Sequence, residues 1–324
     1  MTPRALVLGA AGQDGSYISE LLVAKGYEVT GVVRSDPKER IPNLDAVRDE
    51  MRLVQADLAD PGRLAGLVEE AAPAEIYNFA SVSFGPDAWR DPAGTTHLET
   101  GVVSGVLEAI RGSARGARFF QASSAWVFGR PVRSPQTEST PYAPVEPYGA
   151  AKAFADLTVA ASREQDGAFA CSGILYNHES PRRPERFVTR KITRAAAAIK
   201  LGLERELVLG DVDAARDWGY AKDVVEAAWR MLQAERPENF VIATGESHMV
   251  RELLALAFGM LDLDWEEHVR IDLALVRGPG EPNGLVGDAT AARDRLGWAP
   301  SVTFPELVEL MVEADLAELS RLRA

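Results

Sequence analysis

Four apolar residues, Ala5–Leu8, run directly into Gly9-Ala-Ala-Gly12-Gln-Asp-Gly15, and a helix-spaced segment, Tyr17–Lys25, follows without a break. A strand that turns into a helix through three glycines leaves few architectures open. The turn is too tight for side chains, and a strand followed by a packed helix feeds a second, parallel strand through a right-handed crossover. Small residues there also let backbone N–H groups approach an anion at the positive end of the helix, the arrangement that holds a dinucleotide pyrophosphate. Gly9, Gly12, Gln13, Asp14 and Gly15 are therefore candidate cofactor-binding residues. Without a ligand, the same triplet would be only a tight strand-to-helix turn.

The alternation continues. Val29–Val33, Arg52–Gln55, Glu75–Asn78 and Arg118–Gln121 are short apolar runs bounded by turn residues, and Pro61–Ala71 and Gly94–Arg111 carry helical spacing between them. Strands alternating with helices predict an α/β fold of Rossmann type, a doubly wound parallel sheet covered on both faces. From about residue 177 basic residues cluster, helical stretches lengthen (190–201, 222–234, 250–261) and loops fill with Pro and Gly. The expected organisation is an NADP-binding Rossmann domain over residues 1–176, with segments near 215–245 returning to it. A smaller α/β substrate-binding lobe would occupy 177–324.

Composition removes several function classes. With 46% apolar and 26% charged residues the chain is not disordered, and 35 basic against 48 acidic residues give a net charge of −13. That balance offers no footprint for nucleic acid, though a local pocket for a small anion stays open. The single cysteine, Cys171, excludes an internal disulfide framework and a multi-cysteine metal site, and no metal is expected. No apolar run approaches the roughly 20 residues that span a bilayer. The first residues lead straight into a strand without a small-residue cleavage site, so a cytoplasmic location is expected.

The end of the second strand chooses between nicotinamide cofactors. An acid there binds the adenosine ribose hydroxyls of NAD. This chain has Val33-Arg34-Ser35-Asp36, and the Arg34 guanidinium matches a 2′-phosphate, so NADP is expected over NAD. Asp36 argues the other way. Asp57 and Leu58, after the third strand, are placed to meet the adenine.

Tyr148-Gly-Ala-Ala-Lys152 sets a tyrosine and a lysine four apart on one helix face, and Ser123-Ser124 follow a strand. A phenol is a poor base at neutral pH, but a neighbouring ammonium favours its phenolate. Tyr148 could then exchange a proton with a sugar hydroxyl while Ser124 hydrogen-bonds the same oxygen and Lys152 holds the nicotinamide ribose.

Gly12-Gln-Asp-Gly-Ser-Tyr17, Pro147-Tyr-Gly-Ala-Ala-Lys152, Asn177-His-Glu-Ser-Pro-Arg-Arg183, Phe187-Val-Thr-Arg-Lys191, Ala215-Arg-Asp-Trp-Gly219 and Phe240-Val-Ile-Ala-Thr-Gly-Glu246 carry a resemblance. The chain resembles extended short-chain dehydrogenases/reductases, and over nearly its whole length it is similar to the GDP-mannose 4,6-dehydratases. The resemblance implies NADP and a GDP-sugar, with Asn177 lining the cleft, Thr189 and Lys191 at the diphosphate and Arg216 at the ribose-phosphate. Arg277 and Glu281 resemble a further pair near the nucleotide. It also implies a homodimer or homotetramer, built on helices 94–111 and 149–163.

One stretch departs from the family. Dehydratases carry Ser-Thr-Ser-Glu-Leu-Tyr-Gly, where this chain has Ser123-Ser-Ala-Trp126-Val-Phe128-Gly129. An indole cannot exchange protons near neutrality. General acid–base help is worth about 10²–10⁴-fold, so loss of water from the sugar is expected to fail. Glu138 and Glu146 lie nearby in sequence but read as turn or surface acids. What remains is hydride transfer at C4. Epimerisation is favoured because the stretch also resembles UDP-hexose 4-epimerases. The alternatives are a 4-ketosugar reductase, a dehydratase with a substitute acid, and a non-catalytic NADP sensor. Trp126 would pack over the sugar. Six basic residues between Arg182 and Arg194, against the single acid Glu185, suggest a diphosphate site, and His178 reads as a local structural hydrogen bond.

Overall fold

A computed structural model describes residues 2–275 and 284–323. The first half builds β1 (Arg4–Leu8), α1 (Gln13–Ala24), β2 (Glu28–Val33), β3 (Met51–Gln55), α2 (Pro61–Ala71), β4 (Glu75–Asn78), α3 (Gly85–Arg90), α4 (Pro92–Gly112), β5 (Arg118–Ala122), α5 (Pro147–Asp166) and β6 (Ala170–Leu175). Three of these helices start the same way. Asp60, Asp91 and Glu146 each accept hydrogen bonds from first-turn backbone N–H groups, and a proline occupies the next position. The carboxylate satisfies orphan donors, and proline is preset for the helix without losing a needed N–H.

The second half adds β7 (Asn177–Glu179), α6 (Val188–Lys200), β8 (Leu207–Leu209), β9 (Ala215–Arg216), β10 (Trp218–Tyr220), α7 (Ala221–Gln233), β11 (Phe240–Ile242) and β12 (His248–Met249). It ends with α8 (Val250–Gly259), α9 (Trp265–His268), β13 (Val269–Ile271), α10 (Thr290–Leu296) and α11 (Phe304–Arg323). Seven parallel strands form the main sheet in the order β11-β6-β5-β4-β1-β2-β3, so the Rossmann order is extended at one edge by a strand from the second half. One face is covered by α1 and α7, whose Ile18 and Leu22 share a core with Val224, Ala228 and Met231. The other face is covered by α2, α4 and α5 through Leu64, Val68, Val102, Val106 and Val159. Burial on both faces explains why the strands read as apolar runs.

A separate core joins α6, α8 and α11, with Trp218 stacked on Phe304 at 5.7 Å. β7 pairs with β10 and β9 with β12, which draws Asn177, Arg216 and Trp218 to one edge of this unit. Among the described residues no helix is long and apolar enough to cross a membrane. Cys171 is buried in β6, and burial pushes its thiol up to about 12.

Arg190 of α6 is locked to α11 by Asp315, with Nε to Oδ1 at 2.5 Å, and Thr193 donates to the other carboxylate oxygen at 2.7 Å. Asp315 is wholly buried, whereas Glu318, which also pairs with Arg190, is half-exposed. Asp315→Ala strands a buried guanidinium and should cost about 3–5 kcal/mol. Glu318→Ala should cost under about 1 kcal/mol. Urea denaturation of both variants checks the contrast.

Candidate active site

The glycine turn is built as its sequence requires. Gly9 has φ +80°, and a Cβ there would meet the Ala80 backbone nitrogen at 2.8 Å; a Cβ on Gly15 would stand 2.1 Å from the Gly9 oxygen. Gly12 caps α1 with no side-chain acceptor, so the first N–H groups of the helix face the cleft. Gln13 and Asp14 are tied across to the second half of the chain. Gln13 donates to the His178 carbonyl at 3.1 Å and accepts from Ser180 at 2.8 Å.

His178 makes a local bond from Nδ1 to the Tyr176 carbonyl at 2.7 Å, and Nε2 lies 3.0 Å from Asp14. Both ring nitrogens therefore face acceptors, which suits an imidazolium. Burial alone would lower the His178 pKa, but Asp14 outweighs it and the net shift is upward. Burial likewise would raise Asp14, but the charge and hydrogen bond of His178, with Gln13 and Arg183, together outweigh it and hold the carboxyl below its ordinary value.

Arg34 is exposed at the end of β2, and its carbonyl accepts from Gln55 at 2.9 Å. Asp36 spends a carboxylate oxygen on its own turn, accepting from Lys38 N at 2.9 Å. Asp57 does the same with Ala59 N at 3.0 Å. The Leu58 side chain is buried in the core with Leu6, Val32 and Leu64.

A cavity of 550 Å³ runs from the glycine turn to the second core, lined by Ser124, Trp126, Tyr148, Lys152, Asn177, Thr189, Lys191 and Arg216 among others. Ser124 caps the short turn after β5 and accepts from Trp126 N at 3.3 Å. Lys152 is buried, with its ammonium 5.6 Å from the centre of the Tyr148 ring. Nζ donates to the Ala122 carbonyl at 2.9 Å and lies 2.8 Å from Glu99 Oε2, which leaves a third N–H toward the cleft. Burial raises the Tyr148 phenol; Lys152 opposes that rise and Glu99 adds to it.

Glu99 is a site residue that the sequence reading missed. The signal was present: Glu99, Val102, Val103, Val106 and Ile110 form one buried stripe of α4, and a lone charge in such a stripe needs a partner. Asp156 is a second omission, four residues beyond Lys152 on α5. It accepts from Ser123 at 2.5 Å and Tyr142 at 3.1 Å, and burial pushes it up to about 6.

Each arginine of the basic cluster has a carboxylate partner. Arg182 pairs with Glu20, Arg183 with Glu179, Arg186 with Asp87, Arg190 with Asp315, and Arg194 with Glu185 and Glu318. Arg183 and Arg186 nevertheless line the cavity. Lys191 has no carboxylate partner among the described residues and donates to the Val208 carbonyl at 2.7 Å. The Thr189 hydroxyl is engaged by Glu179 at 2.6 Å, so what Thr189 turns to the cavity is the uncapped first turn of α6. Arg216 is buried and donates to the Ala215 carbonyl at 2.7 Å. Arg277 and Glu281 lie outside the described residues.

Four acids line the cavity among the described residues: Asp14, Glu146, Glu179 and Asp211. Asp14 faces His178, Glu179 faces Arg183 and Thr189, and Asp211 accepts from Asp213 N at 2.8 Å. Glu146 is not a surface acid. It is buried and caps α5 by accepting from Gly149 N at 2.8 Å. Glu138 accepts from Val241 N at 2.8 Å and supports β11.

A Rossmann sheet carrying Ser124, Tyr148 and Lys152 beside a glycine turn defines an enzyme of the extended short-chain dehydrogenase/reductase type. A profile of the GDP-mannose 4,6 dehydratase family matches residues 6–311, and the chain belongs to that family. It is 43% identical to GDP-mannose 4,6 dehydratase 1 of Arabidopsis thaliana, over 96% of this chain and 89% of the plant protein. The UDP-glucose 4-epimerase of Thermotoga maritima, solved with UDP-glucose, superposes with a TM-score of 0.86 at 23% identity, covering 97% of this chain and 99% of that one. The dTDP-glucose 4,6-dehydratase DesIV of Streptomyces venezuelae, solved with NAD and TYD, also gives 0.86, at 24% identity, covering 98% of each chain. An epimerase and a dehydratase fit equally well, so the backbone does not choose between the reactions.

The Asp14–His178 pair should leave a pH signature. Asp14 is held below its ordinary 3.8, so its contribution is present above that value and lost as pH falls through the folded pKa. His178 is held above 6.5, so its contribution is complete below 6.5 and lost as pH rises through the folded pKa. The stability gap between the native protein and Asp14→Asn should therefore be widest between about pH 4 and 6.5 and narrow on both sides, as read by urea denaturation across pH.

Proposed function

We propose that this protein transfers hydride between a nicotinamide dinucleotide, NADP by preference, and C4 of a GDP-sugar, without expelling water. The observation that carries this reading is the assembled Ser124, Tyr148 and Lys152 beside Trp126. In this cavity each of the four acids lining it is already committed to another partner.

The residues fit a dinucleotide. Side chains at Gly9 and Gly15 would fill the turn, and the uncapped start of α1 offers N–H groups for a pyrophosphate. Arg34 is exposed where a 2′-phosphate would lie, and Asp36, the residue favouring NAD, is turned to its own backbone. When bound, the nicotinamide supplies a two-electron hydride donor or acceptor. The chain does the rest. Lys152 directs its remaining N–H at a ribose hydroxyl, Ser124 hydrogen-bonds the sugar O4, and Tyr148 gives or takes the O4 proton. The open first turn of α6, Lys191 and Arg216 face the diphosphate and its ribose, with Asn177 beside the sugar.

Two outcomes share this machinery. Hydride that leaves C4 and returns to the opposite face makes an epimerase, the outcome supported by the sequence of the Ser123–Gly129 stretch. Hydride delivered from a reduced cofactor to a 4-ketosugar makes a reductase, the outcome supported by Arg34. Incubation with GDP-mannose should yield no 4-keto-6-deoxy product by mass spectrometry and NMR, and its steady accumulation would return the protein to the dehydratases. Tyr148→Phe should lose about 10²–10⁴-fold in hydride transfer with a GDP-sugar panel while cofactor binding persists.

We also propose that α4 and α5 pack against a second copy of the chain. Phe154 and Leu157 of α5 are apolar yet 48% and 63% exposed. Light scattering should show a homodimer or tetramer, and Leu157→Glu should shift it toward monomer.

A further inference from the structure

The buried partner of the catalytic lysine has a chemical consequence. Glu99 is 1% exposed and faces Lys152 across 2.8 Å, while its other oxygen accepts the Ser81 hydroxyl. The Ser81 hydroxyl also reaches Tyr148, where it favours the phenolate. Burying a carboxylate costs several kcal/mol unless it is well paired, and a neutral amide at this position could accept from Lys152 through its oxygen and donate its NH2 to the Ser81 hydroxyl more cheaply. What only a carboxylate adds is charge. An unpaired ammonium beside a phenol draws the phenolate out; an ammonium already matched by a carboxylate leaves no net positive charge to do so.

The other groups around the tyrosine do not restore that charge. On α5 itself, Asp156 lies beside Lys152, held by Ser123 and Tyr142, and Glu146 caps the helix. From β5 and the β4–α3 connection only the hydroxyls of Ser124 and Ser81 reach Tyr148. Burial, the largest influence, and Glu99 act to keep the phenol neutral, against Lys152 and the hydroxyls of Ser124 and Ser81, and the net shift is upward.

We propose that Glu99 is a positioning residue that offsets the charge of Lys152 and so keeps the proton on Tyr148, so that the site is set to protonate a C4 carbonyl oxygen rather than to deprotonate a C4 hydroxyl. This rests on the C4 chemistry proposed above and selects its reductive direction, with a GDP-4-ketosugar as substrate and a reduced nicotinamide dinucleotide as reductant. The step balances. C4 gains hydride from the reduced dinucleotide, the carbonyl π pair moves onto O4, and O4 takes the phenolic proton of Tyr148 as that O–H bond breaks. Water returns the proton to the phenolate once product has left. An earlier enzyme must then supply the ketone by oxidising or dehydrating a GDP-sugar.

The test needs neither cofactor nor sugar. The phenolate absorbance of Tyr148 is isolated by subtracting the titration of Tyr148→Phe, in the otherwise native chain and in Glu99→Gln. In the native chain no Tyr148 phenolate should exist at pH 7. In Glu99→Gln the midpoint should fall by about one pH unit or more, a tenfold gain in acidity. An unchanged or higher midpoint overturns the proposal, and so does a native phenolate at pH 7. Glu99→Asn is a second neutral replacement if Glu99→Gln does not fold, and the same fall is required of it. Should the C4 reading be wrong, this titration is unaffected. An unchanged midpoint alongside measurable C4 hydride transfer removes only the role of Glu99.

Discussion

Much of the site depends on a carbonyl touching a residue without a side chain. A Cβ on Gly149 would stand 2.5 Å from the Trp126 oxygen, so α5 lies flush against the turn after β5 only because that position is glycine. From that contact the rest follows by helix geometry. Glu146 caps the first turn, Tyr148 faces Ser124, Lys152 sits one turn further in, and Asp156 one turn beyond that. Moving α5 outward by a methyl group would break the alignment of hydroxyl, phenol and ammonium together. The same close packing forces a charged lysine into a buried site, and Glu99 matches that charge.

Much of this was legible from the residues. The short apolar runs and helical patterns located β1 to β5 and the helices on both faces to within a few positions, and α1 began four residues earlier than its periodicity because Gly12 ends the turn. β6 was not read as a strand. Its run Ala-Cys-Ser-Gly-Ile-Leu is poor in β-branched residues, and full burial between neighbours rather than propensity makes it extended. The site was legible where spacing is local, as for Tyr148 and Lys152. It was not legible where partners are distant in sequence: Glu99 lies 53 residues before Lys152, and nothing local joins them.

The arginines after Pro181 show how composition can mislead. Six basic residues beside one acid look like an anion site, yet their carboxylates come from α1, α3, β7 and α11, brought in by the fold. A charge run describes a segment, whereas pairing is a property of the whole chain. Of the cluster, Arg183, Arg186 and Lys191 line the cavity, and among these only Lys191 has no carboxylate partner among the described residues. Trp126 is the opposite case, a single side chain read from a short stretch that the fold does place on the cavity wall.

The ties from Gln13, Asp14 and Glu20 to His178, Ser180 and Arg182 span more than 160 residues. During synthesis those anchors do not exist until the ribosome has passed Arg182. Loop closure of that length is slow compared with local helix formation. A nascent chain with β1 and α1 already made would still lack the contacts that fix its glycine turn, so capture of a nucleotide cannot guide the earliest folding.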